Sequence, residues 1–186
     1  MESLLGIFSA FGLSASAGLN AYIPLLVVAL MARYTDLIKL NSPYDALTSW
    51  WIIALLVVLS LIEFLVDKFP MINHINDIIV QSFVRPAAGA IVFAASTNVV
   101  GDVHPVLALA LGLLVAGGVH TVKTVTVRPA VSAVTAGAGN VPVSIAEDVT
   151  STTLSVLSIV VPVLVFSLFV LFCTWVVWHY FLKPPE

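Results

Sequence analysis

The sequence predicts an all-α polytopic membrane domain, with about four full transmembrane helices, short or re-entrant helices between them, and an internal Arg-Pro repeat. Three observations lead there. Of 186 residues, 60% are hydrophobic and only 9% are charged, with a mean hydropathy of +1.12. A soluble domain carries roughly a quarter charged residues. The apolar residues fall in runs long enough to cross a bilayer, and the four tryptophans sit at the ends of two of them. Finally, Val-Arg-Pro-Ala-x-x-Ala occurs twice, at residues 84–90 and 127–133. The formal net charge of -3 argues against nucleic acid as a partner, since a nucleic-acid surface is basic. The single cysteine, Cys173, excludes an internal disulfide or a thiolate metal cluster. No metal or cofactor motif is present.

The first apolar run spans residues 3–32. Ala15-Ser16-Ala17 imitates a signal cleavage site, but Glu2 stands where a basic n-region belongs and the run continues to Ala32. It reads as a retained first helix that unwinds at Gly18-Leu19-Asn20-Ala21-Tyr22-Ile23-Pro24. A polar loop over 33–48 precedes a second helix at 49–66, opened by Trp50 and Trp51 and carrying Glu63. Residues 67–85 mix Asp67, Lys68, His74, Asp77 and Gln81 with Ile75, Ile78, Ile79 and Phe83, a pattern that suits an interfacial helix. Arg-Pro is a helix-start signal, because proline in the first turn loses no hydrogen bond. A helix from Pro86 to Asn98 has 13 residues and reaches ~20 Å, which is half-spanning.

Residues 101–105 read as a turn and 106–119 as a short apolar helix. A connector holding His120, Lys123 and Arg128 follows, then a small-residue segment over 130–138. The closing helix is expected from Glu147 and Asp148 to about Tyr180, with Pro162 inside it. Trp175 and Trp178 end that helix, and the aromatic belt puts its end on the same side as Trp50 and Trp51. The Lys/Arg count does not assign the cytoplasmic side. The whole chain, 1–186, is one transmembrane domain, with repeat units at about 49–98 and 105–140 flanked by long helices at 3–32 and 147–180.

Each repeat is preceded by a histidine, His74 or His120, and followed by an asparagine, Asn98 or Asn140. Transporters use internal repeats whose broken helices face a polar site near the midplane. Arginine beside a helix N-terminus adds charge to an end that is already partly positive, so an anion or acidic side chain must answer it. The candidate groups are Arg85, Arg128, Asn20, Asn140, Asp77, Glu147 and Asp148, with Glu63, Asp67, Lys68, His74, His120 and Lys123 in support. In the bland alternative the arginines are closed on Asp77, Glu147 or Asp148 as an ionic lock. Glu147 and Asp148 in a first helical turn are also ordinary dipole partners. The amides of Asn20 and Asn140 satisfy backbone groups at helix breaks by default. Ala87, Gly89, Gly112 and Gly117-Gly118 are small enough to let helices approach closely. A membrane-embedded enzyme using His74 and Asp77 is a third alternative, although the spacing matches no zinc pattern.

Asn20-Ala21-Tyr22-Ile23-Pro24, Asp67-Lys68-x-Pro70, Asp77, Arg85-Pro86-Ala87-Ala88-Gly89 and Asn140-x-Pro142-x-Ser144-x-x-Glu147-Asp148 together resemble a membrane family catalogued as domain of unknown function 4126. The resemblance runs from Gly18 to about Pro162. It implies a multi-pass protein of the bacterial inner membrane; the family label carries no substrate or activity. The residues themselves lead to a small transporter or channel for a polar, anionic solute, surrounded by membrane lipids. Five or six membrane elements are compatible with a homodimer, which no sequence feature demands. The alternative is a structural or lipid-interacting membrane protein whose buried charges only lock the fold.

Overall fold

A computed structural model of the chain describes residues 2–67, 81–98 and 103–178. Among them every regular element is helical: α1 (Glu2–Leu19), α2 (Tyr22–Tyr34), α3 (Trp50–Val66), α4 (Gln81–Asn98), α5 (Pro105–Val122), α6 (Arg128–Thr135), α7 (Asn140–Val160) and α8 (Pro162–Val177), with a 3-10 turn at Tyr44–Thr48. The helices at 105–122 and 128–135 are joined by a π-helical stretch, Lys123–Val127, so that Pro105–Thr135 is one continuous helix of 31 residues.

The core is built around α1, which packs against α4, α5, α7 and α8. Its composition makes this possible. Between residues 12 and 18 every side chain is Gly, Ser, Ala or Leu, and all are buried. A Cβ at Gly18 would lie 2.6 Å from the Ala116 carbonyl oxygen, so α1 and α5 touch there through backbone. The contact between α4 and α5 is equally close, because a Cβ on Gly89 would lie 2.8 Å from the Gly112 carbonyl oxygen and overlap Ala116. Small residues let backbones approach without a core of large side chains. The expected close packing does not extend to all of them: Ala87 is exposed, and a Cβ on Gly118 would meet nothing.

Several boundaries differ from the sequence expectation. The break after α1 falls where expected, at Asn20-Ala21, and α3 begins at Trp50 behind a Ser49 cap that accepts from Ile52 N. The first Arg-Pro does not open a helix. Pro86 lies inside α4, an 18-residue helix reaching ~27 Å, and its ring packs beside Gly117 on α5. The second Arg-Pro stands where the π-helical stretch passes into α6, inside one continuous helix, so it opens none either, and 120–129 is not a connector but helix throughout. The threonines of this stretch satisfy the helix internally, as when Thr124 Oγ1 donates to His120 O at 2.9 Å. The closing helix begins at Asn140 rather than Glu147, and it breaks at Val161, whose backbone (φ -134°, ψ 63°) cannot continue the helix before Pro162. Glu147 and Asp148 therefore lie two turns inside α7 and are not first-turn dipole partners. The expected interfacial helix over 67–85 lies mostly outside the described residues; its last part, from Gln81, begins α4.

Polarity is distributed against the soluble pattern. Ser14, Ser16 and Arg85 are 0% exposed and Glu63 is 2% exposed, whereas Trp51 is 88% and Leu114 is 67% exposed. Two helices, Pro105–Thr135 and Asn140–Val160, are long and apolar enough to cross a membrane.

Candidate functional site

The interior polar groups converge from five parts of the chain. The break between α1 and α2 supplies Leu19 O and Asn20, and the end of α3 supplies Glu63 and Asp67. Arg85 comes from α4, His120, Lys123 and Arg128 from the long helix, and Ser144, Glu147 and Asp148 from α7. Glu63 and Asp67 are one helical turn apart and so share a face. The π turn does similar work on the long helix. A π-bulge alters the helical register, and with it His120, Lys123 and Arg128 are all buried.

One centre is formed around Arg85. Its Nη2 donates to Glu63 Oε1 at 3.0 Å, with both side chains essentially unexposed. Its Nη1 lies 3.4 Å from His120 Nδ1. A guanidinium has only donors, so a hydrogen bond here requires Nδ1 as the acceptor, with the hydrogen of a neutral ring on Nε2. That Nε2 faces Ser82 Oγ at 3.5 Å.

The other centre is formed around Glu147. Its Oε2 accepts from Arg128 Nη2 at 2.6 Å and Lys123 Nζ at 3.0 Å. Lys123 Nζ also reaches Leu19 O, the last carbonyl of α1, at 3.4 Å, where the helix dipole favours a cation. Asp67 Oδ2 ties the end of α3 to this centre, taking Ser144 Oγ at 2.8 Å and standing 3.8 Å from Arg128 Nη2. Charges this deeply buried cost several kcal/mol each unless paired or hydrogen-bonded, and this arrangement meets that demand.

Asn20 holds the break. Its Oδ1 accepts from Tyr22 N at 3.0 Å and Ile23 N at 3.1 Å, capping α2, while its Nδ2 donates to Asp148 Oδ1 at 3.0 Å. Two turns inside α7, Asp148 faces the α1–α2 break and takes this amide contact. Asn140 is not drawn into either centre. It exchanges hydrogen bonds with Ser132 at 3.0 and 3.2 Å across the turn between α6 and α7, as befits the start of a helix. Asp77, Lys68 and His74 lie outside the described residues, so the enzyme alternative built on His74 and Asp77 does too.

One set of groups escaped the sequence reading. Ser16 Oγ on α1 lies 2.8 Å from Ser151 Oγ and 2.7 Å from Ser155 Oγ on α7. Ser144, Ser151, Ser155 and Ser158 are all 0% exposed and share the face of Glu147. Their spacing of seven, four and three residues is a helical stripe that was visible in the sequence.

These features define a helical protein with an apolar exterior and a paired, hydrogen-bonded ionic interior. The chain belongs to the family described as Domain of unknown function (DUF4126), which matches residues 7–181. No curated protein and no solved structure matches it.

Proposed function

We propose that this protein is a small transporter or channel that moves a polar, anionic solute across the bacterial inner membrane. The observation that carries the reading is the inverted polarity: ionic and hydroxyl groups line the interior, and large apolar side chains cover the outside. Lipid is the solvent that makes such a surface stable, and buried ionisable groups in lipid mark functional sites by default. Of the interior groups, Asn20 sits at the α1–α2 break, and Lys123 opens the π-helical stretch that shifts register within the long helix. Interrupted helices are where transporters place their binding groups. In this reading about four full spans and shorter broken helices cross the membrane, the two Arg-Pro units descend from a duplication, and Arg85 and Arg128 attract the solute. Glu63 and Glu147 occupy those arginines in the closed state, and the solute competes with them. The small size of the chain favours a homodimer, with membrane lipids covering the remaining apolar faces.

A second reading, an ionic lock in a structural or lipid-interacting protein, is favoured by one contact. Glu147 Oε2 is shared by two cations at 2.6 and 3.0 Å, which is the geometry of a tie. A single experiment separates the two. In a Cys173→Ser background, Ser151→Cys places a thiol on the buried stripe with little change of volume. Reconstituted in vesicles, this variant is labelled by a membrane-impermeant reagent if a water-filled path exists, and chloride or acetate slows the labelling. A folded variant that stays unlabelled from both sides removes the transporter reading and leaves the lock.

A further inference from the structure

Arg85 and Arg128 are buried against carboxylates, whereas Arg33 is exposed and is held by an aromatic ring. It stands in the last turn of α2, where the helix dipole favours a cation. Its Nη1 donates to Thr48 O at 2.6 Å, and its Cζ lies 4.3 Å from the centre of the Trp50 ring at the start of α3. Tyr34 meets the same ring edge-on, with 6.4 Å between centroids. A guanidinium carries five N–H donors in one plane. The Thr48 carbonyl takes one and the stack sets the plane, which leaves the other donors as a preorganised fork on an exposed side chain. Among the described residues no carboxylate comes within ion-pair distance of Arg33, although Asp36 and Asp45 are exposed on the same connection, as is Lys39. Tyr34, Trp50 and Trp51 are exposed at these two helix ends. Tyrosine and tryptophan so placed mark the headgroup level of a bilayer, where the abundant acceptor is the phosphate of a phospholipid.

We propose that Arg33 and Trp50 form a binding site for a phospholipid, whose phosphate accepts from the open edge of the guanidinium while the Trp50 ring holds its face. The inference rests on the membrane placement proposed above and on no part of the transport reading. Paired N–H···O bonds to a phosphate suit a planar guanidinium and not an ammonium, so lysine is no substitute at this position. The site joins the end of α2 and the start of α3 to one leaflet. Those helices reach the polar interior with their other ends: α2 begins at the Asn20 cap, and α3 ends with Glu63 and Asp67. A lipid bound at Arg33 therefore steadies two of the elements that carry the ionic centres.

Solid-state magnetic resonance of the purified full chain reads this contact, in vesicles of phosphatidylethanolamine and phosphatidylglycerol and in phosphate-free buffer. Arginine isotope-labelled at Cζ reports on Arg33, Arg85 and Arg128, the arginines of the chain. Dephasing of that signal by lipid phosphorus is expected for the share of one arginine, at a separation of about 4 Å, as N–H···O bonds of about 2.8 Å require. Arg33→Lys is expected to abolish the dephasing, and Trp50→Leu to reduce it by freeing the guanidinium plane. A wild type without dephasing, or dephasing unchanged in either variant, overturns the proposal. Polarisation transfer from lipid-chain protons to the protein's methyl groups is recorded on the same samples. Transfer without dephasing removes the lipid site and leaves the membrane placement standing. If the transfer is missing as well, the placement falls and the site falls with it.

Discussion

Lys123 and Arg128 meet on a single atom, Glu147 Oε2, at 3.0 and 2.6 Å. The two cations are five residues apart on one helix, and the π turn between them is what permits both to reach the same oxygen. Glu147→Gln would leave two buried cations with their common partner neutral. The expected loss is about 3–5 kcal/mol of stability, the usual cost of breaking a buried pair from one side. Arg128→Gln/Glu147→Gln removes charge from both sides and is expected to recover a substantial part of it. Chemical unfolding in micelles, followed by intrinsic fluorescence, measures both. With Arg128→Gln measured as well, a double-variant loss equal to the sum of the two single losses would show that the pair does not couple.

The contact between α4 and α5 predicts a contrast among glycines. A methyl at Gly89 would overlap Ala116 and press on the Gly112 carbonyl, with backbone on both sides and no flexible side chain to yield. Gly89→Ala is expected to cost about 1–3 kcal/mol through overpacking. Gly118→Ala, with nothing within 4 Å of its new Cβ, is expected to be neutral or mildly stabilising because alanine is the better helix former. Thermal unfolding of the two variants side by side decides whether helix contact or composition sets the need for glycine.

The hydroxyl contacts between α1 and α7 predict a measurable coupling. Ser16 Oγ reaches two serine hydroxyls and the Ser151 carbonyl, the last at 2.8 Å. Ser16→Ala and Ser151→Ala should each destabilise, and the double variant by less than their sum. The expected coupling is about 0.6 kcal/mol, the average for interhelical hydrogen bonds in membrane bundles. A coupling indistinguishable from zero would mean that α1 and α7 are held by their small-residue packing alone.

What the sequence disclosed and what it hid follow one physical division. Composition and apolar run length were enough for the helical class, and the Gly-Leu-Asn-Ala-Tyr-Ile-Pro segment was enough for the first break, because capping and proline effects are local. The reach of Arg128 to Glu147 was legible as one of several pairings, since both stood out as charges in an apolar chain. The partner of Arg85 was not so clear: Glu63 looked secondary because the distance between α3 and α4 is set by packing, on which local sequence is silent. Pro86 misled as well. Its local signal is a helix start, yet the helix already runs from Gln81, five residues before it. The π turn over Lys123–Val127 has no local signature, so a helix of 31 residues was read as three pieces.

Asn20 yields the prediction with the sharpest sign. It is 2% exposed, and its oxygen caps two backbone N–H groups of α2 while its amide donates to Asp148. Asn20→Ala leaves those donors and that carboxylate oxygen without the side chain, and a loss of about 1–3 kcal/mol is expected. Asn20→Asp separates the two roles. An introduced carboxylate still accepts from both N–H groups and suits the start of α2, but it turns a donor toward Asp148 into a second negative charge. At neutral pH the two carboxylates repel, and the variant should be less stable than the wild type. As pH falls, one of them takes a proton and donates to the other, as paired carboxylates do, so the deficit should shrink on acidification. Unfolding of Asn20→Asp and wild type at a series of pH values tests this. A deficit that stays constant or grows toward acid would show that the contact with Asp148 is not what the amide provides.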